Sequence, residues 1–146
     1  VDEEIQVKGP VLLRAYRDGT DPRTPDGWSP TGDGGRFEDD GRLSVFGRRG
    51  DLIITGGENV WPGPVEEILA SLASVREVAV VGRPDREWGG RVTAVVVPTD
   101  PADPPTLDQL RSAVKERMLP AWAPRAVEYV EALPRTSLGK VRRAEL

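Results

Sequence analysis

The sequence predicts an α+β fold for its larger, C-terminal part, and three observations carry that expectation. Apolar residues recur at helical spacing across 65–72 and again across 107–118. β-Branched runs at 78–81, 92–97 and 127–130 suit a short central sheet flanked by those helices. Ahead of residue 50 the chain changes character, with brief alternating runs, frequent glycine and proline, and no helical period. The expected division is therefore 1–49, β-rich, and 50–146, α+β.

Taken in order, Glu4-Ile5-Gln6-Val7-Lys8 alternates apolar and polar residues and stops at Gly9-Pro10, as a half-buried strand would; residues 11–15 could pair with it. Residues 17–30 contain Gly19, Pro22, Pro25, Gly27 and Pro30 and read as loop, with Trp28 as its large apolar group. After the glycine-rich Thr31-Gly32-Asp33-Gly34-Gly35, two short strands, Arg36-Phe37 and Leu43-Ser44-Val45-Phe46, flank the turn Asp39-Asp40-Gly41. Hairpins of this size need a larger body to pack on. Leu52-Ile53-Ile54 is too short for a helix and suits a buried strand that leads through Gly56-Gly57 into a mobile loop.

Pro62 and Pro64 stand where a first helical turn tolerates proline, and Val65, Ile68, Leu69 and Leu72 then mark one face, with Glu66 and Glu67 near the helix N-terminus. Residues 92–97 form a run continuous enough for a strand buried on both faces, and 82–90 reads as the loop before it. Residues 100–105 form another loop. Thr106 with Gln109 makes a capping box, and Leu107, Leu110, Val114 and Met118 mark the buried face of the second helix. After the strand at 127–130, residues 133–140 read as loop before a short terminal turn.

Composition excludes several chemistries. The 146 residues include no cysteine, which removes disulfides, thiolate nucleophiles and Cys-ligated metals. Histidine is absent too, which removes Ser-His-Asp and Cys-His catalysis and HExxH zinc sites. A formal net charge of -4 without a clustered basic run argues against nucleic acid as a partner. No apolar stretch approaches the roughly 20 residues that span a bilayer, so the expectation is a cytoplasmic protein without a membrane span. The chain opens on Val1 in what reads as the interior of a structure, which suggests a piece of a longer protein.

Three motifs occur in order: Thr31-Gly32-Asp33; Gly47-Arg48 with Gly56-Gly57-Glu58-Asn59-Val60-Trp61-Pro62 and Val65-Glu66; and Pro134-Arg135-Thr136-Ser137-Leu138-Gly139-Lys140. Singly, each has a plain structural reading. Asp33 is a turn residue in a glycine-rich loop, Arg48 a solvated arginine, and Lys140 an exposed lysine. Lys140 is nonetheless one of only three lysines, with Lys8 and Lys115, in a chain that otherwise uses arginine.

In this order the motifs resemble the late motifs of the acyl-adenylate-forming superfamily, which includes acyl-CoA synthetases, adenylation domains of peptide synthetases and firefly luciferase. Pro84-Asp85 with Trp88-Gly89 resembles the acyl-CoA synthetase branch. Gly-Gly-Glu-Asn followed by Val-Trp-Pro occurs both in o-succinylbenzoate-CoA ligases and in fatty acyl-CoA ligases, and the short loop after Tyr16 is closer to the former.

The resemblance implies that 1–49 is the β-rich end of a large N-terminal domain and 50–146 a mobile C-terminal domain. It implies ATP, Mg2+ bound mainly by the upstream part, and CoA, with a carboxylic acid and the upstream N-terminal domain as partners. A carrier protein in place of CoA, or a non-catalytic module of the same fold, are the alternatives. Asp33 would hold the ribose hydroxyls and Arg48 would lie near the nucleotide. Gly56, Gly57, Glu58 and Trp88 would serve the CoA side, and Gly50 would be the hinge. Lys140 would offset charge building on the α-phosphate. Two positions depart from the pattern: Gly50 stands where Asp, Lys or Ser is common, and Gly34 where an apolar residue usually follows Thr-Gly-Asp.

Overall fold

The short alternating runs of the N-terminal part assemble by pairing at a distance. In the computed structural model, which describes residues 4–146, β1 (Glu4–Val7), β2 (Ser29–Phe37) and β3 (Leu43–Arg48) form an antiparallel sheet in the order β1-β2-β3. The chain divides into one compact unit up to Gly50 and a second from Asp51 to Leu146, with the 3-10 turn Arg49–Asp51 at the division.

Two expectations for the first unit are corrected. Residues 11–15 do not pair with β1; Gln6 and Val7 pair instead with Pro30 and Ser29. Pro10 removes a ladder donor, and turns closed by Leu12 N–H to Gly9 O, Gly19 N–H to Tyr16 O and Gly27 N–H to Thr24 O occupy the intervening chain. Nor is Thr31-Gly32-Asp33-Gly34-Gly35 a loop: it lies inside β2, with a register shift between Gly34 and Gly35. A Cβ on Gly35 would lie 2.5 Å from Ser44 O and 2.7 Å from Ile5 Cδ1, so glycine here permits close approach of backbone and side chain.

The second unit is α+β. Its sheet runs β5 (Glu58–Val60), β4 (Ile53–Thr55), β7 (Gly89–Pro98), β6 (Val75–Asp85), and β8 (Ala126–Tyr129) lies parallel to β7. β7 is buried from Val92 to Pro98, as its unbroken apolar run demands. One face of the ribbon, through Val80, Val92, Ala94 and Val96, receives α1 (Pro62–Ala70) and α2 (Leu107–Lys115) by way of Val65, Leu69, Leu110 and Val114. The other face, through Ala79, Val81, Val95 and Val97, is covered by Leu133 with Val130, Val141 and Leu146. Both halves of the Thr106–Gln109 capping box form.

The expected loop at 82–90 is instead mostly strand. β6 continues to Asp85 and pairs residue by residue with β7, leaving Arg86, Glu87 and Trp88 as the turn. Pro84 fits because, among the described residues, β6 pairs only with β7, and an edge strand tolerates a missing donor. The segment after β4 is likewise a tight hairpin. Ile53, Ile54 and Thr55 pair with Val60, Asn59 and Glu58, and Gly56 (φ 58°) and Gly57 (φ 85°) supply the two positive-φ positions of its turn. Glu66 and Glu67 lie past the first turn of α1. Glu66 instead accepts the Val80 N–H of edge strand β6 at 2.6 Å and takes Arg143 Nη2 on both oxygens at 2.6 Å.

Candidate functional site

The candidate residues form three groups, one in the first unit and two in the second. In the first unit, Asp33 and Arg48 are direct partners across β2 and β3, and Arg48 Nε lies 3.1 Å from Asp33 Oδ1. Arg48 Nη1 also donates to Thr31 O at 2.7 Å, while Thr31 Oγ1 donates to Ile5 O and accepts Asp33 N–H at 3.1 Å. Gly32 takes φ 75° within the strand, and Glu4 takes Gly32 N–H and Arg49 Nη1. The result is a rigid corner that presents a carboxylate beside a guanidinium. A carboxylate held this way can accept two hydroxyl donors.

The second group surrounds the Gly56–Gly57 turn. Gly56 N–H donates to Trp88 O at 2.9 Å, and a Cβ on Gly56 would lie 2.6 Å from Trp88 Cε3. The indole is also stacked by Arg125, whose guanidinium carbon lies 3.8 Å from the ring centroid. Asp85 Oδ1 accepts both Trp88 N–H (3.1 Å) and Glu87 N–H (3.0 Å), and these donors hold its carboxyl below the usual carboxylate range. Trp88 is thus fixed against the backbone of the turn, while Gly57 and Glu58 face solvent. Gly50 lies in the 3-10 turn between the units, exposed, without positive φ and with open space where a Cβ would be.

The third group is the loop that ends at Lys140. Thr136 N–H donates to Lys140 O at 2.8 Å, Thr136 Oγ1 accepts Lys140 N–H at 3.1 Å, and Gly139 (φ 82°) closes the turn onto Thr136 O at 2.9 Å. Arg135 pairs with Val141 as an isolated bridge and with Glu77 through their side chains. Lys140 is exposed, next to the equally exposed Leu138 and Gly139. Glu77 lies near the start of β6, whereas the Gly56–Gly57 turn lies at its far end, where Gly89 pairs with both Asp85 and Thr55. The eight residue steps from Glu77 to Asp85 correspond to about 26 Å of strand. The structure thus brings Gly56, Gly57, Glu58 and Trp88 together and sets Lys140 at the opposite end of the same ribbon.

Sequence reasoning missed Arg125, Arg135 and Arg143. Arg125 carries no local signal, because its contact with Trp88 depends on β8 lying beside β7. Arg143, joined to Glu66 and 3.5 Å from Asp51, is equally a product of tertiary structure. Arg135 lay within a motif already singled out, and its place next to the loop-closing Thr136 was the available signal.

Residues 64–140 match the family described as AMP-binding enzyme C-terminal domain. The 2-succinylbenzoate-CoA ligase of Bacillus licheniformis is 40% identical across 98% of this chain and 30% of that protein. A medium/long-chain-fatty-acid-CoA ligase of Mycobacterium tuberculosis is 42% identical across 94% of this chain and 26% of its own. The o-succinylbenzoate CoA synthetase of Bacillus subtilis, solved with its acyl-adenylate intermediate, superposes with a TM-score of 0.86 at 36% identity, over 97% of this chain and 30% of that one. The chain therefore spans less than a third of the length of these relatives.

Proposed function

Because the chain belongs to the AMP-binding enzyme C-terminal domain family, we propose that it is the C-terminal part of an ATP-dependent, AMP-forming acyl-CoA synthetase whose small domain turns between two half-reactions. In the first, a carboxylate oxygen attacks the α-phosphorus of ATP and pyrophosphate leaves. In the second, the sulfur of CoA attacks the acyl carbon, AMP leaves, and the thiol proton is released.

The observation that carries this reading is the separation of the Lys140 loop and the Gly56–Gly57 turn at opposite ends of the β6–β7 ribbon. Two functional loops set at opposite ends of a strand span of about 26 Å cannot serve one reacting centre in a single orientation of a rigid domain. Lys140 brings a compact ammonium to the α-phosphate, where charge builds during adenylation. The Gly56–Gly57 turn, with Glu58 and the Trp88 indole beside it, lines the path of the CoA thiol in the second orientation. Asp33 accepts the ribose hydroxyls, Arg48 lies beside that carboxylate near the nucleotide, and Gly50 is the pivot. Among the described residues no group of three or more acidic side chains is placed to hold a cation. On this reading Mg2+, the phosphate loop and the acyl pocket belong to the upstream domain.

The test uses the full-length protein. Carboxylic-acid-dependent exchange of pyrophosphate into ATP, followed by thioester formation when CoA is added, is the expected result. Exchange without discharge by CoA or any other free thiol would move the acceptor to a carrier protein, and no exchange with any acid would leave a non-catalytic module.

A further inference from the structure

We infer that Arg135 is a positioning residue for Lys140, acting as a strut between β6 and the peptide plane that precedes the lysine. The inference rests on the proposed role of Lys140 in adenylation. Two different nitrogens of the Arg135 guanidinium are engaged at once: Nη1 donates to Gly139 O at 2.7 Å, and Nη2 is paired with the Glu77 carboxylate. Gly139 O belongs to the peptide joining Gly139 to Lys140, so the guanidinium fixes the plane from which the lysine departs. Thr136 holds the N–H and the carbonyl of Lys140 itself. The N–H and carbonyl of both Gly139 and Lys140 are therefore held, and of these four contacts the one made by Arg135 reaches outside the loop to the sheet. Glu77, paired with Val97 of the central strand β7, is a firm base for it.

Stability does not account for the arrangement. The Arg135 and Glu77 side chains are 45% and 33% exposed, and ion pairs at that exposure contribute little to folding. Geometry does account for it, because a misplacement of about 1 Å in a catalytic group can cost on the order of 10²-fold in rate. A lysine at position 135 could not replace the arginine fully. Its single nitrogen would have to serve a neutral carbonyl on the loop and a carboxylate on the strand, whereas the planar fork reaches both.

The experiment measures the two half-reactions separately in the full-length protein, by pyrophosphate release and by CoA consumption from supplied acyl adenylate. Arg135→Ala should slow adenylation about tenfold to a hundredfold, leave thioester formation unchanged, and lower the melting temperature by no more than a few degrees. Arg135→Lys should retain more adenylation than Arg135→Ala. Glu77→Ala, which removes the far end of the strut, should give a smaller loss in the same half-reaction. In a Lys140→Ala background, Arg135→Ala should add nothing, because its effect passes through the lysine. Equal losses in both half-reactions, unchanged adenylation in Arg135→Ala, or a full further loss in the double variant would each overturn the inference. If Lys140→Ala alone cripples adenylation while Arg135→Ala does not, the strut fails and the reading of Lys140 stands. If Lys140→Ala leaves adenylation intact, that reading fails and the inference falls with it.

Discussion

Replacing Gly56 by alanine should be the most costly single-methyl change in the hairpin that precedes α1. Gly56 sits at φ 58°, where an alanine pays about 1–2 kcal/mol for left-handed backbone. Its Cβ would also lie 2.6 Å from Cε3 and 2.9 Å from Cζ3 of Trp88. The indole has little room to yield, since Arg125 stacks 3.8 Å from its centroid and Asp85 accepts the backbone N–H of Trp88. Overpacking of this kind costs about 1–3 kcal/mol. Loss of glycine's freedom in the unfolded chain returns about 0.4–1 kcal/mol, so the net cost is about 1–4.6 kcal/mol, centred near 3. Gly57→Ala, at φ 85° with nothing within 4 Å, should lose only about 1 kcal/mol. Gly50→Ala, with open space and no positive φ, should be neutral or slightly stabilising. Urea denaturation followed by tryptophan fluorescence gives the three values. A Gly56→Ala cost no larger than that of Gly57→Ala would refute the argument, as would an undiminished cost in a Trp88→Ala background.

Two further outcomes follow from the ion pairs of the second unit. Glu66→Ala leaves the Val80 N–H of an edge strand without its acceptor and leaves Arg143, among the described residues, with only Asp51 at 3.5 Å, so the urea midpoint should fall by the equivalent of about 2–3 kcal/mol; a change below 0.5 kcal/mol would contradict it. Glu128 accepts Arg83 Nε at 3.0 Å and Nη2 at 2.6 Å, and this pairing lowers its pKa below the ordinary 4.5. A depressed folded-state pKa contributes stability that is present above about 4.5 and lost as pH falls through the folded value. The stability gap between the native chain and Glu128→Gln should therefore be largest near neutrality and shrink below pH 4.5, and a gap independent of pH would argue that the pair does not form in solution.

Much of the second unit was legible because its signals are local. The Thr106–Gln109 box, the prolines opening α1 and the unbroken run of β7 each state their structure within a few residues. Glycine and proline misled wherever they answer to a neighbour distant in sequence. Gly35 permits contact with Ile5 and Ser44, and Pro84 is harmless only because β6 is an edge strand, so both read as loop from sequence alone. Among the candidate residues, the Asp33–Arg48 pairing required the β2–β3 register, and the separation of Lys140 from Gly56 required the full antiparallel extent of β6 and β7. Periodicity contains neither.

The rate pair for Lys140→Ala in the full-length protein tests the central claim most directly. Removing one donor aimed at developing transition-state charge costs on the order of 10²–10³ in rate, about 3–4 kcal/mol, and a full positive charge should lie at the upper end. Pyrophosphate release should fall by that factor, while CoA consumption from supplied acyl adenylate stays within about twofold of the unaltered protein, because the lysine is at the far end of the ribbon from the turn that serves the thiol. Lys140→Arg should not restore the lost rate. A loss of similar size in both half-reactions would contradict the account, for Lys140 would then support the fold or general binding and the small domain would have no residue dedicated to adenylation.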